Sequence, residues 1–447
     1  MVSCLIGAPA SGSGKTVLTM GMVAALKARG HPITPAKVGP DYIDTAFLSA
    51  AAGRPAINLD LWAMQPELFG RLAAAQNLVV EGVMGLFDGP SAGVGSSADV
   101  ARALNLPVVL VVNAERMSHS VAALVHGFMS FDETVRVVGV ILTKVGSGRH
   151  EAMLRHALSS RGIPCLGALP RDEALSFPSR HLGLQQARER GDLFERIAAV
   201  AAQVEAHCDL DRLIALADEN AHADTESLPS PLASERSSAI PWQAGLPPLG
   251  QRIALAEDDA FSFFYEHLIR GWRDSGASVH RFSPLNGDAP DPSADAVYLP
   301  GGYPELFAGR LAATKGWITG LRTLAEKGVR IYGECGGYMA LGETLIDGQG
   351  EAHRMAGLLP ITTNFRQPRR TLGYRELTHD GAFLEEWPQV LRGHEFHYAT
   401  IGAEGPPLFG GSDAQGTDLG PMGTQIGSVA GSFAHVIDGA RTHSAPS

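Results

Sequence analysis

The sequence predicts an α/β protein built from two domains in tandem. Short continuous apolar runs alternate with stretches of helical periodicity, the pattern of a mostly parallel sheet covered on both faces. Between about Asp218 and Gly250 that pattern dissolves into sequence rich in Pro, Ser, Ala and Glu, the composition of a linker. A chain of 447 residues is also too long for one ordinary core, so two domains of roughly 200 residues each are expected. The expected division is 1–217, a linker over 218–250, and 251–447.

Residues 2–7 form an apolar run that ends in a Gly/Ser loop, and 16–29 then show helical periodicity. Leu78–Val80, Val108–Val112 and Val137–Leu142 read as further buried strands of the same sheet. After the linker a second series begins with Arg252–Ala256, Ala296–Leu299 and Val329–Tyr332, and no internal repeat is found.

A formal charge of −11 argues against nucleic acid, whose phosphates need a concentrated basic face. Runs such as Pro107–Val112 are too short to span a bilayer, so no membrane association is expected. The first residues lack a basic segment and lead straight into a Gly-rich loop, unlike a signal peptide. Cysteines at 4, 165, 208 and 335 are too scattered for a zinc site or a disulfide framework, which suits a reducing cytoplasm. The oligomeric state is left open, a homodimer among the options.

The first chemical motif is G-A-P-A-S-G-S-G-K-T, Gly7 to Thr16, placed directly after the first strand. Such a loop, with Gly12 and Gly14, turns successive backbone N–H groups toward phosphate oxygens at the positive end of the following helix. Lys15 would reach the β/γ-phosphates of ATP and the Thr16 hydroxyl would bind Mg²⁺. Pro9 replaces the usual leading glycine, so the loop is a variant form.

Acidic clusters follow in the same half. K-V-G-P-D-Y-I-D carries Lys37, Asp41 and Asp44; V-V-E-G-V-M-G carries Glu81 at the end of a buried strand; L-F-D-G carries Asp88. Ligands of open α/β sheets gather beyond the carboxyl ends of the strands, and Mg²⁺ takes a few carboxylates beside phosphate and water. Thr16, Asp41 and Glu81 could supply that set. Singly, each acid would be read as a solvated charge or a helix cap.

In the second half, V-R-I-Y-G-E-C-G-G-Y-M-A-L runs from a strand into a helix with Cys335 at the turn. Glycines at 333, 336 and 337 permit a sharp elbow that presents a nucleophile. The helix N-terminus is expected to lower the thiol pKa. Gly336 and Gly302, the latter in L-P-G-G-Y-P-E, could provide the N–H groups of an oxyanion hole. His435 in G-S-F-A-H is the candidate base. His394 and His397, in G-H-E-F-H-Y, are one residue too close for a helical zinc motif and read as structural or substrate-contacting. A P-loop ATPase of the partitioning or switch type, with a partner-binding carboxyl half, is the competing reading; the cysteine elbow and the G-S-F-A-H strand oppose it.

Taken together, S-G-S-G-K-T, K-V-G-P-D-Y-I-D, I-L-T-K-V-G-S-G-R-H-E, L-P-G-G-Y-P-E, G-E-C-G-G-Y-M and G-S-F-A-H closely resemble the a,c-diamide synthases of cobalamin biosynthesis, over essentially the whole chain outside the linker. The resemblance implies an amino half with the dethiobiotin-synthetase-type P-loop fold and a carboxyl half like class I glutamine amidotransferases. It implies an ATP- and Mg²⁺-dependent ligase whose substrates are a corrinoid acid, L-glutamine and ATP. Carried over by position, Cys335 matches the thioester-forming nucleophile and His435 its activating group. Asp41, Asp44, Glu81 and Asp88 match acidic positions tied to nucleotide, metal and carboxylate activation.

One branch of the family acts on metal-free hydrogenobyrinic acid and the other on cobalt-containing cobyrinic acid. W-A-M-x-P-E-L, C-D-L-D, P-L-G-Q-R-I-A and G-H-E-F-H-Y-A-T resemble the metal-free branch; the cobalt form and other tetrapyrrole polycarboxylates are the alternatives. Three positions depart from the family pattern: Ile437 stands where an amidotransferase Glu follows the His, Thr143 stands for a frequent Asn, and Leu48 stands for a His. Tyr303, Tyr374 and Arg375 are candidates for touching the macrocycle.

Overall fold

The computed structural model describes residues 2–91, 93–172, 179–180, 183–184, 191–222, 245–403 and 405–440. The chain divides into two compact units: Met1–Trp62 with Phe69–Ser238, and Ala63–Leu68 with Ala239–Ser447. Most of the expected linker lies outside the described residues, and helix Leu210–His222 runs past its expected start at 218. Among the described residues no helix is long and apolar enough to cross a membrane.

The first unit is organised by a seven-stranded sheet. Its strands are β1 (Cys4–Gly7), β2 (Thr34–Val38), β3 (Ile57–Leu59), β4 (Leu78–Glu81), β5 (Val108–Asn113), β6 (Val137–Val145) and β7 (Cys165–Pro170). They lie in the order β3-β2-β4-β1-β5-β6-β7, parallel throughout. Consecutive residues of β1, β4 and β5 are buried, as they must be when helices cover both faces. Valine dominates β5 and fills the middle of β4 because β-branched side chains pack well on a pleated surface. On one face, helix Lys15–Ala28 presents Leu18, Met22 and Leu26 to a core shared with Ile197, Val200 and Val204 of helix Leu193–His207. The strand order reverses at β1, which has β4 on one side and β5 on the other, and there the phosphate loop emerges.

A six-stranded sheet organises the second unit. It contains β8 (Arg252–Ala256), β9 (Ser278–Phe282), β10 (Ala296–Leu299) and β11 (Arg330–Glu334). A five-stranded antiparallel sheet follows, with β12 (Thr371–Thr378), β13 (Val390–His397), β14 (Phe409–Asp413) and β15 (Asp418–Met422). Strands β16 (Thr424–Ile426) and β17 (Val429–Ser432) complete the first of these sheets, in the order β9-β8-β10-β11-β17-β16; β18 (Ala434–Gly439) completes the second, as β15-β14-β12-β13-β18. Only Phe433 separates β17 from β18, so the chain passes from one sheet into the other within a single residue. Strand β13 alternates buried and half-buried residues, as a strand with one covered face should, and its covered face carries Glu395 and His397.

The core beneath the parallel part includes Val297, Leu299, Leu321, Leu324 and Ile331 around Trp317. Trp317 has no exposed surface, and its indole N–H donates to the Leu311 carbonyl at 3.0 Å. We expect Trp317→Ala to cost about 3–5 kcal/mol of stability, through the emptied volume, in urea unfolding followed by far-UV circular dichroism.

Candidate active site

In the first unit, register explains the charge cluster before any ligand is considered. Lys37 of β2 stands directly beside Glu81 of β4, and Glu81 beside Ile6 of β1. The Lys37 ammonium donates to Glu81 Oε1 at 2.8 Å, to Asp44 Oδ2 at 2.6 Å and to the Gly82 carbonyl at 3.3 Å. Thr16 Oγ1 donates to the same Glu81 oxygen at 2.7 Å. Asp41 Oδ1 accepts the Asp44 backbone N–H at 2.9 Å, which starts helix Ile43–Ala52 with a carboxylate at its positive end. Asp88 Oδ2 closes its own turn by accepting the Gly85 N–H at 2.9 Å. The segment after β4 is tied to the phosphate loop by Gly82 N–H to Ile6 and Leu86 N–H to Ala8. Lys15 donates to the Met84 carbonyl of that segment.

Burial sets the electrostatics of this cluster. Glu81 is pushed up to about 7 by burial, against the pull of Lys37. Asp41 is pushed up to about 6 by burial and the neighbouring Asp44 carboxylate. Burial alone would lower Lys37, but Asp44, Glu81 and Asp41 outweigh it and hold the ammonium above its ordinary value. Lys15 falls to about 8 through burial and repulsion from Lys37. Among the described residues no three or more His, Cys, Asp or Glu side chains form a metal cage. Glu81 Oε2 is buried without a hydrogen-bond partner, however, and the Thr16 hydroxyl lies against the same carboxylate. A hydroxyl beside an unsatisfied carboxylate oxygen fits Mg²⁺, which fills its remaining positions with phosphate oxygens and water.

In the second unit Cys335 occupies the elbow between β11 and the short helix Gly336–Leu341, with φ 47° and ψ −102°. That conformation is strained for a residue with a side chain and persists because the surroundings over-determine it. A Cβ on Gly337 would come within 1.9 Å of the Leu299 carbonyl oxygen, so only glycine lets the elbow sit on β10. A Cβ on Gly336 would stand 2.9 Å from the Gly302 nitrogen, which places the two expected oxyanion donors side by side. Gly301 faces the His435 ring so closely that a Cβ there would be 2.2 Å from Cε1. Cys335 and His435 are thus both seated against the Leu299–Pro304 segment. His435 arrives there because β17 pairs with β11, Ser432 opposite Glu334, and β18 begins two residues later.

The expected lowering of the thiol pKa does not occur. Cys335 is 4% exposed, and burial followed by the Glu305 carboxylate pushes it well above the ordinary thiol value. One short helix cannot offset that desolvation. His435 is lowered to about 3 by burial and by His394 and His397, so thiol and imidazole are both neutral at pH 7. His397 Nδ1–H donates to the Ala399 carbonyl at 3.0 Å, Nε2 lies 2.8 Å from Glu395 Oε1, and the ring stacks on Phe433 at 3.8 Å between centroids.

Comparison with known proteins identifies the family of both domains. Residues 5–184 match the model of the CobQ/CobB/MinD/ParA nucleotide binding domain, and 252–442 that of the CobB/CobQ-like glutamine amidotransferase domain. The chain is 51% identical to the hydrogenobyrinate a,c-diamide synthase of Brucella anthropi, over 98% of this chain and 99% of that one. It is 52% identical to the enzyme of that name from Brucella abortus, with the same coverage. To that of Rhodobacter capsulatus it is 47% identical, over 97% of this chain and 98% of the other. The chain belongs to the hydrogenobyrinate a,c-diamide synthase family.

Its family membership gives the departures noted in the sequence a physical reading. Leu48 has no exposed surface and lies in the core, where an imidazole would be buried. Ile437 is buried too, and its carbonyl accepts from His267 Nε2 at 2.9 Å. Asp438 is engaged elsewhere: Oδ2 accepts the N–H of Gln65, in the Ala63–Leu68 segment of this unit. Arg375 and Tyr303 correct the expectation that they face a macrocycle. Arg375 is 7% exposed and donates to Glu395 Oε2 at 2.6 Å; Tyr303 is 7% exposed with its ring edge-on to Phe263. Sequence reasoning missed Thr143 as a support. Its hydroxyl, buried at the end of β6, donates to the Ser13 carbonyl of the phosphate loop at 2.8 Å. We expect Thr143→Val to weaken nucleotide binding about five-fold, the worth of one hydrogen bond near 1 kcal/mol, in isothermal titration with a non-hydrolysable ATP analogue. An unchanged affinity would show that the loop holds its shape without it.

Proposed function

We propose that the chain amidates the a and c acetate carboxylates of hydrogenobyrinic acid, using ATP to activate each acid and glutamine to supply the nitrogen. The observation that carries this reading is full-length similarity to enzymes of that name, in a chain that pairs a phosphate loop with a strained, glycine-flanked cysteine.

In the first unit the loop amides around Gly12 and Gly14, with Lys15 and Lys37, would hold the triphosphate and neutralise charge as the γ-phosphoryl group passes to a carboxylate oxygen. Thr16, Glu81 and Asp41 would hold Mg²⁺, which would supply positive charge beside the phosphates. Lys37 is already shared between Glu81 and Asp44 and can follow the charge when a phosphate competes for it. Asp44 and Asp88 border the same loop and would place the acid to be phosphorylated.

In the second unit His435 would take the Cys335 proton as sulfur attacks the glutamine side-chain carbonyl. The Gly302 and Gly336 N–H groups would hold the oxyanion. Ammonia leaves, water releases glutamate from the thioester, and the ammonia displaces phosphate from the acyl phosphate. Two rounds give the a,c-diamide.

Cys335→Ala should abolish amidation with glutamine while ammonium chloride still drives it at wild-type order of rate. Lys15→Ala should abolish both. Mass analysis of the corrinoid product reads the outcome, and incubation with hydrogenobyrinic and cobyrinic acid in parallel decides the substrate: two O-to-NH exchanges on the cobalt form alone would overturn the choice made here.

A further inference from the structure

Class I amidotransferases orient the catalytic imidazole with a carboxylate two residues beyond it, and here that residue is Ile437. Asp438 is turned to Gln65. A different carboxylate stands behind His435. Glu334, the residue before the nucleophile, is 1% exposed, and its Oε2 lies 3.8 Å from His435 Nδ1. The carboxylate is fixed from two sides. Tyr298 Oη, on β10, donates to Oε2 at 2.7 Å, and the Val436 N–H, on β18, donates to Oε1 at 3.1 Å. The second bond locks Glu334 to the residue that follows His435, so side chain and imidazole are held by the same stretch of backbone.

We propose that Glu334 is the positioning residue of the glutaminase site: its carboxylate, 3.8 Å from Nδ1 and just beyond hydrogen-bond length, takes a hydrogen bond from Nδ1–H as the ring aligns Nε2 with the thiol. This rests on the assignment of Cys335 and His435 to glutamine hydrolysis. The Cys335 S–H proton moves to Nε2 as the S–C bond to the glutamine amide carbon forms and the carbonyl electrons move to oxygen. When the oxyanion collapses, the C–N bond breaks and the same proton leaves on ammonia. Glu334 stays ionised throughout and offsets the positive ring in a site that excludes water.

The surroundings of His435 give this a pH signature. His394 is its register partner on β13 and His397 of the same strand also acts on it, while Glu305 and Glu395 act on Cys335 at the elbow. His394 is lowered to about 4 by burial and Arg375. Glu334 is raised to about 7 by burial, with Tyr298 and Val436 opposing the rise. Glutamine hydrolysis should therefore decline as pH falls through about 7, where Glu334 takes up a proton and can no longer accept from Nδ1.

The test is glutamate release by the full-length chain without ATP or corrinoid, from pH 5.5 to 9, with 6-diazo-5-oxo-L-norleucine adduct formation at Cys335 as a second readout. Glu334→Gln should lower kcat on the order of a hundred-fold, leave KM for glutamine within about two-fold, and erase the acidic limb. Glu334→Asp should recover part of the rate and keep the limb. Tyr298→Phe removes a bond that lowers the Glu334 pKa, so its limb should move to higher pH. A Gln variant that keeps wild-type kcat, or loses rate with its acidic limb in place, overturns the proposal, as does an unmoved limb in Tyr298→Phe. A wild-type chain that releases no glutamate and forms no adduct instead sinks the parent assignment.

Discussion

The second unit depends on one strand crossing from sheet to sheet. Strand β17 lies beside β11 in the parallel sheet, and after Phe433 the chain becomes β18, hydrogen-bonded to β13 in the antiparallel one. Because hydrogen-bond registers are fixed on both sides, the positions of Glu334, Cys335 and His435 are set by backbone pairing and not by side-chain packing alone. The elbow strain at Cys335 can be sustained for the same reason: Cys335 N–H donates to the Ser432 carbonyl at 2.8 Å, anchoring the strained residue to the strand that delivers the histidine.

The first unit uses register in a different way. There Lys37, Glu81 and the root of the phosphate loop come from three adjacent parallel strands. The ammonium and the carboxylate are nearly inaccessible, 3% and 0% exposed by side chain. Removing Lys37 would leave Glu81 and Asp44 without their shared cation, which is far more destabilising than the pairing itself is stabilising. Such a cluster specifies one arrangement and leaves little room for drift where phosphate chemistry needs exact charge placement.

Much of this was legible in the sequence because the signals are local. Continuous apolar runs marked β1, β4, β5, β6, β8 and β10 to within a few residues, and the glycine spacing marked both loops. Strand β2 escaped because Pro35 and Lys37 interrupt its apolar run; both are buried in the sheet interior, the lysine held there by its carboxylates. The antiparallel sheet was legible only in part, as the strand that delivers His435, because its strands carry polar residues on the covered face, Glu395 and His397 among them. What composition and spacing could not convey was burial, and burial decides the ionisation of both sites. The helix-end argument for an acidic thiol is sound for an exposed cysteine and fails for one that is 4% exposed.

A nucleophile kept protonated has a bearing on how the protein survives between turnovers. Peroxide and alkylating electrophiles attack thiolate and spare thiol. With Cys335 neutral and nearly enclosed, the sulfur stays a poor nucleophile until a neighbouring base draws off its proton. The same desolvation holds back oxidative damage to the sulfur.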